Sequence, residues 1–168
     1  MTLAHLPTQE AQDLLQRFQQ SERAREVSWL ECAVEEGKFH YLCSNNDQEE
    51  RDLIALKLYY SKEDEIVELM GKCQTSEFKT DQFEIELDAL LKLQKDELTT
   101  AEQEDIKYRI CALKDLITIE KANGQEYNNE IEMLEKISRK IKDNITTERY
   151  KNLSRFDVNS IRFDGEEW

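Results

Sequence analysis

Cys32, His40 and Cys43 fall within one short stretch, ECAVEEGKFHYLCSNN, and Cys73 follows in a later segment. Three thiols and an imidazole are the parts of a structural zinc centre or of an activated cysteine nucleophile. The spacing argues against both. Structural zinc pairs its ligands as C-x2-4-C or H-x3-5-H, so that one tight turn presents two of them. Here the order is Cys-x7-His-x2-Cys. On a helix His40 and Cys43 share a face, whereas Cys32 lies two turns back at another angle. A catalytic thiol also needs a base and a group that orients it, and no glycine-rich turn or oxyanion donor cluster surrounds these residues. The cysteines are therefore expected to be small packed side chains.

Other chemistries fail on similar grounds. His5 and His40 are the only histidines, and neither has a glutamate three residues before it. That removes the Glu-x-x-His pairs of carboxylate-bridged metal bundles. No two glycines lie close enough to cradle a phosphate, and no acidic run has the alternation and glycine of a calcium loop. The expectation is a non-enzyme with no metal ligand and no cofactor.

The elements that carry these residues read as helices. The chain has one proline and four glycines in 168 residues, with 36% charged and 39% hydrophobic residues. That composition favours long amphipathic helices over a loop-rich β fold. Thr8 caps a first helix whose apolar stripe is Ala11, Leu14, Leu15 and Phe18. Gln19 to Glu26 has almost nothing to bury, so the helix projects or breaks there. The segment 27–43 fits a helix, with a two-stranded hairpin about Glu35–Lys38 as the competing reading.

Ser44 to Asp47 starts the next helix, and Ser61 with Asp64 suggests a kink or a fresh start. Gly71 ends that segment, and 74–80, QTSEFKT, is the candidate linker and subdomain boundary. Two further stripes follow: Phe83 to Leu91, then Ile106 to Ile117, with Thr99 and Glu102 as a capping box. Asn123-Gly124 is read as a helix stop. A last helix of about 40 Å carries Tyr127, Ile131, Leu134, Ile137 or Ser138, Ile141 and Ile145 as a coiled-coil-like seam.

The fold class is all-α. It is expected as a helical bundle of five to seven helices over 1–154, its last three antiparallel, with a C-terminal hairpin or extended tail over 155–168. The tail sequence RFDVNSIRFD is nearly self-complementary about Asn159-Ser160. Such a hairpin needs a surface to rest on, and that makes Phe156, Val158, Ile161, Phe163 and Trp168 the candidate partner-binding residues.

Net charge is −14, from 37 acidic against 23 basic residues. Phosphate neutralisation needs the opposite balance, so direct nucleic-acid binding is not expected. The basic residues Lys136, Arg139, Lys140 and Lys142 read as a solvated helix face. No segment has the apolar length of a membrane span, and the N-terminus lacks a secretory pattern. Unpatterned cysteines then suggest a cytoplasmic protein.

The leading functional reading is a protein-interaction module: an adaptor, complex subunit or chaperone-like binder, with a homodimer possible. It would act through a helical groove or the tail, on a partner with a basic surface. Two alternatives are an acidic nucleic-acid mimic that inhibits a basic protein, and a thiol or metal protein built on Cys32, His40, Cys43 and Cys73.

Overall fold

The computed structural model describes residues 3–94 and 99–161. These form six α-helices and two 3₁₀ turns, with no strand among the described residues. The helices are α1 (Gln9–Gln19), α2 (Leu30–Leu42), α3 (Asp47–Leu93), α4 (Thr100–Asp143), α5 (Glu148–Lys151) and α6 (Arg155–Ser160). The 3₁₀ turns are Leu3–His5 and Glu22–Glu26. The chain divides into two compact units. One combines the residues up to Tyr60 with those from Lys140 onward; the other is Ser61–Arg139.

Helix starts follow the caps visible in the sequence. The Thr8 hydroxyl accepts from the Ala11 N–H at 3.2 Å, and Asn46 Oδ1 accepts from Gln48 and Glu49 N–H at 3.1 and 3.0 Å. Thr99 donates its N–H and hydroxyl to Glu102 at 2.9 and 2.6 Å. Each satisfies groups that a helix N-terminus leaves open. After α1 the chain breaks at Gln20 into the Glu22–Glu26 turn, which buries nothing. Segment 27–43 takes the helical alternative. Gly37 marks a close approach rather than a hairpin: a Cβ there would lie 2.7 Å from Gln12 Nε2 and 2.8 Å from Leu15 Cδ1.

The helix stops expected at Gly71, 74–80 and Asn123-Gly124 do not occur, and no fresh helix starts at Ser61. All lie inside α3 or α4, so the expected linker at 74–80 is helix, and two long helices replace the antiparallel three-helix section. The last long helix also ends earlier than expected, at Asp143, before the separate short α5. The reason is visible in Ser61–Arg139. Ile66, Leu69, Cys73, Ser76, Thr80, Phe83, Leu87 and Leu90 follow at alternating spacings of three and four, each buried or half-buried. Ile106, Ile110, Leu113, Ile117, Glu120, Gly124, Tyr127, Ile131, Leu134 and Ser138 do the same on α4.

The two seams face each other antiparallel. Leu90 packs with Ile110 and Leu113 at one end, and Ile66 and Leu69 with Leu134 at the other. This is coiled-coil packing, and it carries α4 through Gly124 against an interior glycine cost of about 1 kcal/mol. Ser138, not Ile137, is the seam residue; its hydroxyl donates to Glu63 Oε1 at 2.7 Å.

The discontinuous unit has its own core of Leu42, Leu53, Leu56, Ile145, Tyr150, Val158 and Ile161. The expected hairpin over 155–168 is corrected here for its first half, since Arg155–Ser160 is helical. Ser154 and Asp157 form a complete capping box, and this local start signal prevails over the cross-strand complementarity of the sequence. Phe163 and Trp168 lie outside the described residues.

Candidate binding groove

An apolar groove of about 400 Å³ opens in the discontinuous unit, lined by Leu3 and Ala4, by Leu14, Leu15 and Phe18 of α1, and by Val27, Trp29, Leu30 and Ala33. Its construction follows from α1. Leu14 and Leu15 are adjacent, so they cannot both face inward: Leu15 is buried against Gly37, while Leu14 stays 50% exposed. The break after Gln19 turns the chain so that Val27 and Trp29 close the far side. Trp29 is 61% exposed, a large indole surface that the fold leaves uncovered. Leu14, Leu15 and Phe18 were expected together in one apolar stripe, which does not separate the buried from the exposed. The signals that distinguish them are the Leu-Leu pair on a short helix and a tryptophan standing just before a helix start.

The tail residues separate into two classes. Val158 is wholly buried and Ile161 nearly so, both in the core with Leu53 and Tyr150. They are packing residues, and this corrects their assignment as partner contacts. Phe156 is 78% exposed, with the Lys38 ammonium 5.7 Å from its ring centroid. Lys38 also pairs with Asp157. That bond, with the Ser154 hydroxyl, holds the Asp157 carboxyl below its usual range.

Buried polar groups fix the unit that carries the groove. Asp52 Oδ2 accepts from the N–H and hydroxyl of both Thr146 and Thr147, at 2.7 to 2.9 Å. Burial alone pushes this carboxyl up, but the four bonds together outweigh it and bring the pKa to about 2. The wholly buried Tyr150 donates its hydroxyl to the Leu42 carbonyl at 3.0 Å. Arg149 donates to Glu49 at 2.5 Å and to the Cys43 carbonyl at 2.9 Å, so the end of α2 is closed from α5. Burial pushes the Tyr150 hydroxyl pKa up.

The sulfur and imidazole set of the sequence is not gathered. Cys32 is exposed, Cys43 half-buried at the end of α2, and Cys73 buried in the α3 seam; none of the four cysteines is in a disulfide. His40 instead meets His5 and Glu36. His5 Nε2 lies 3.1 Å from Glu36 Oε1, and the two imidazole centroids are 5.6 Å apart. Among the described residues this is the one group of three or more His, Cys, Asp or Glu whose donor atoms approach closely enough to share an ion. The Glu-x-x-His spacing does not reveal this group, because Glu36 stands four before His40, equally on one helix face.

Among the described residues no helix is long and apolar enough to cross a membrane. No family model, curated protein or solved structure matches the chain.

Proposed function

We propose that the protein is a non-catalytic interaction module of the cytoplasm that takes an amphipathic helix of a basic partner protein into the groove between α1 and Trp29. The observation that carries this reading is the groove itself: an almost wholly apolar concavity whose rim residues, Leu14 and Trp29, remain exposed. A groove framed by helices suits a helical ligand presenting apolar residues on one face, and an exposed tryptophan is the residue type that most often anchors such contacts. The net charge of −14 favours approach by a cationic partner and sets its rate more than its final affinity.

The test is photo-crosslinking in the source cell, with a benzophenone amino acid at position 29 and, as comparison, at exposed Tyr108 in the other unit. The expected result is one partner captured from position 29 and lost when Leu14→Glu is added, with helicity unchanged by circular dichroism. That partner is expected to carry a basic amphipathic helix that binds as a synthetic peptide. Capture from position 108 alone, or capture at 29 indifferent to Leu14→Glu, overturns the reading.

A further inference from the structure

We infer that His5, Glu36 and His40 form a binding site for a divalent transition ion of the zinc class. Glu36 and His40 are one turn apart on α2 and so present their donors on a single face. His5 reaches them from the Leu3–His5 turn, a separate element. The three donor atoms lie within 4.8 Å of one another, whereas a tetrahedral ion with bonds of about 2.0–2.1 Å needs ligands about 3.3 Å apart. The difference is within side-chain rotation, because His5 and Glu36 are both half-exposed. One edge of the triangle is already closer than that, the 3.1 Å contact from His5 Nε2 to Glu36 Oε1.

Two imidazoles and one carboxylate select the kind of ion. Imidazole suits zinc, copper and nickel, whereas magnesium and calcium prefer all-oxygen shells. Three protein ligands leave a further position open to water. The ion would take the place of the direct His5–Glu36 contact. It would also tie the Leu3–His5 turn to α2. Leu3 and Ala4 of that turn line the groove, but the inference does not depend on any partner binding there.

The experiment is calorimetric titration of the tag-free full chain with Zn²⁺, after chelator treatment and buffer exchange. It is run in a Cys32→Ser, Cys43→Ser, Cys111→Ser background to separate imidazole from thiolate binding. The expected result is one saturable site per chain, weakened about tenfold or more by His5→Ala and by His40→Ala, and less by Glu36→Gln. Co²⁺ in place of Zn²⁺ provides an independent reading through its visible absorption, expected without thiolate charge-transfer bands. His5→Ala lies in a turn at the surface, so it serves should His40→Ala disturb α2. Absence of a saturable site overturns the inference. So does a site that survives both histidine substitutions, or one that disappears when the cysteines are replaced.

Discussion

The Ser76 hydroxyl lies 2.7 Å from the main-chain oxygen of Glu120 and 2.8 Å from its carboxylate, in the middle of the α3–α4 seam. Around it, Lys79 approaches the same carboxylate at 3.3 Å, and the Cys73 thiol lies 3.6 Å from Asn128 Oδ1. The Ser76 bond is the main influence holding the Glu120 carboxyl below its usual range. A polar layer between apolar ends allows only one alignment of two helices at full satisfaction, because a slipped register leaves buried hydroxyls unpaired. Ser76→Ala removes the buried bond and is expected to lower stability by about 1 kcal/mol, measured by urea unfolding. An unchanged midpoint would show that the layer contributes nothing.

Three helical glycines are expected to answer alanine differently. A Cβ at Gly71 meets nothing within 4 Å, and one at Gly124 sits 3.9 Å from Ser76 Oγ, an ordinary contact. Both substitutions are expected to raise stability, by up to about 1 kcal/mol each. At Gly37 the new carbon falls under 3 Å from Gln12 and from the buried Leu15. Overpacking of about 1–3 kcal/mol then exceeds the helical gain, and Gly37→Ala is expected to destabilise. Thermal melts of the three variants decide the order.

Asp52 makes stability depend on acid. Its folded pKa of about 2 lies below the ordinary 3.8, so its contribution is fully present above about pH 4. It is lost as pH falls through the interval from 3.8 to 2. Asp52→Asn is expected to cost about 2–3 kcal/mol at neutral pH, as hydrogen bonds to a charged acceptor are lost, and to flatten the profile in that interval. Denaturant midpoints at a series of pH values compare the two; parallel profiles would assign the acid sensitivity elsewhere.

The C-terminal helix separates packing from surface. Val158→Ala opens a gap in a fully enclosed site and is expected to cost about 2 kcal/mol. Phe156→Ala, at an exposed position, is expected to change stability by no more than about 0.5 kcal/mol. Equal losses from the two would mean that the Lys38–Phe156 contact bears load that its exposure does not suggest.

These same positions show what a sequence discloses. The apolar parts of the seam, Phe83 to Leu90 and Ile106 to Ile117, were legible because their periodicity needs no partner to be recognised. The polar layer was not. QTSEFKT resembled a linker and Asn123-Gly124 a helix stop for one shared reason: each is the other's seam partner, and small polar side chains look like breaks until the facing helix is known. The tail misled in the opposite direction, since its complementarity was conspicuous while Ser154 and Asp157 gave a quieter local signal. The His5–Glu36–His40 group joins elements distant in sequence, and only tertiary packing brings them together. The exposure of Trp29 was likewise invisible, since a local pattern does not show which side chains the folded unit leaves uncovered.

That the discontinuous unit takes up the chain again at Lys140 after leaving it at Tyr60 also dictates an order of assembly. Tyr150, Val158 and Ile161 cannot meet Leu42 and Leu53 until the intervening segment has brought its ends together, a closure whose entropy an open coil would bear in full. The α3–α4 coiled coil can discharge much of it beforehand, zipping outward from contacts of small sequence separation such as Leu90 with Ile110. The coil is therefore expected to form before the discontinuous core closes. Substitutions in its Leu90 end should slow folding, while those at Val158 should chiefly hasten unfolding.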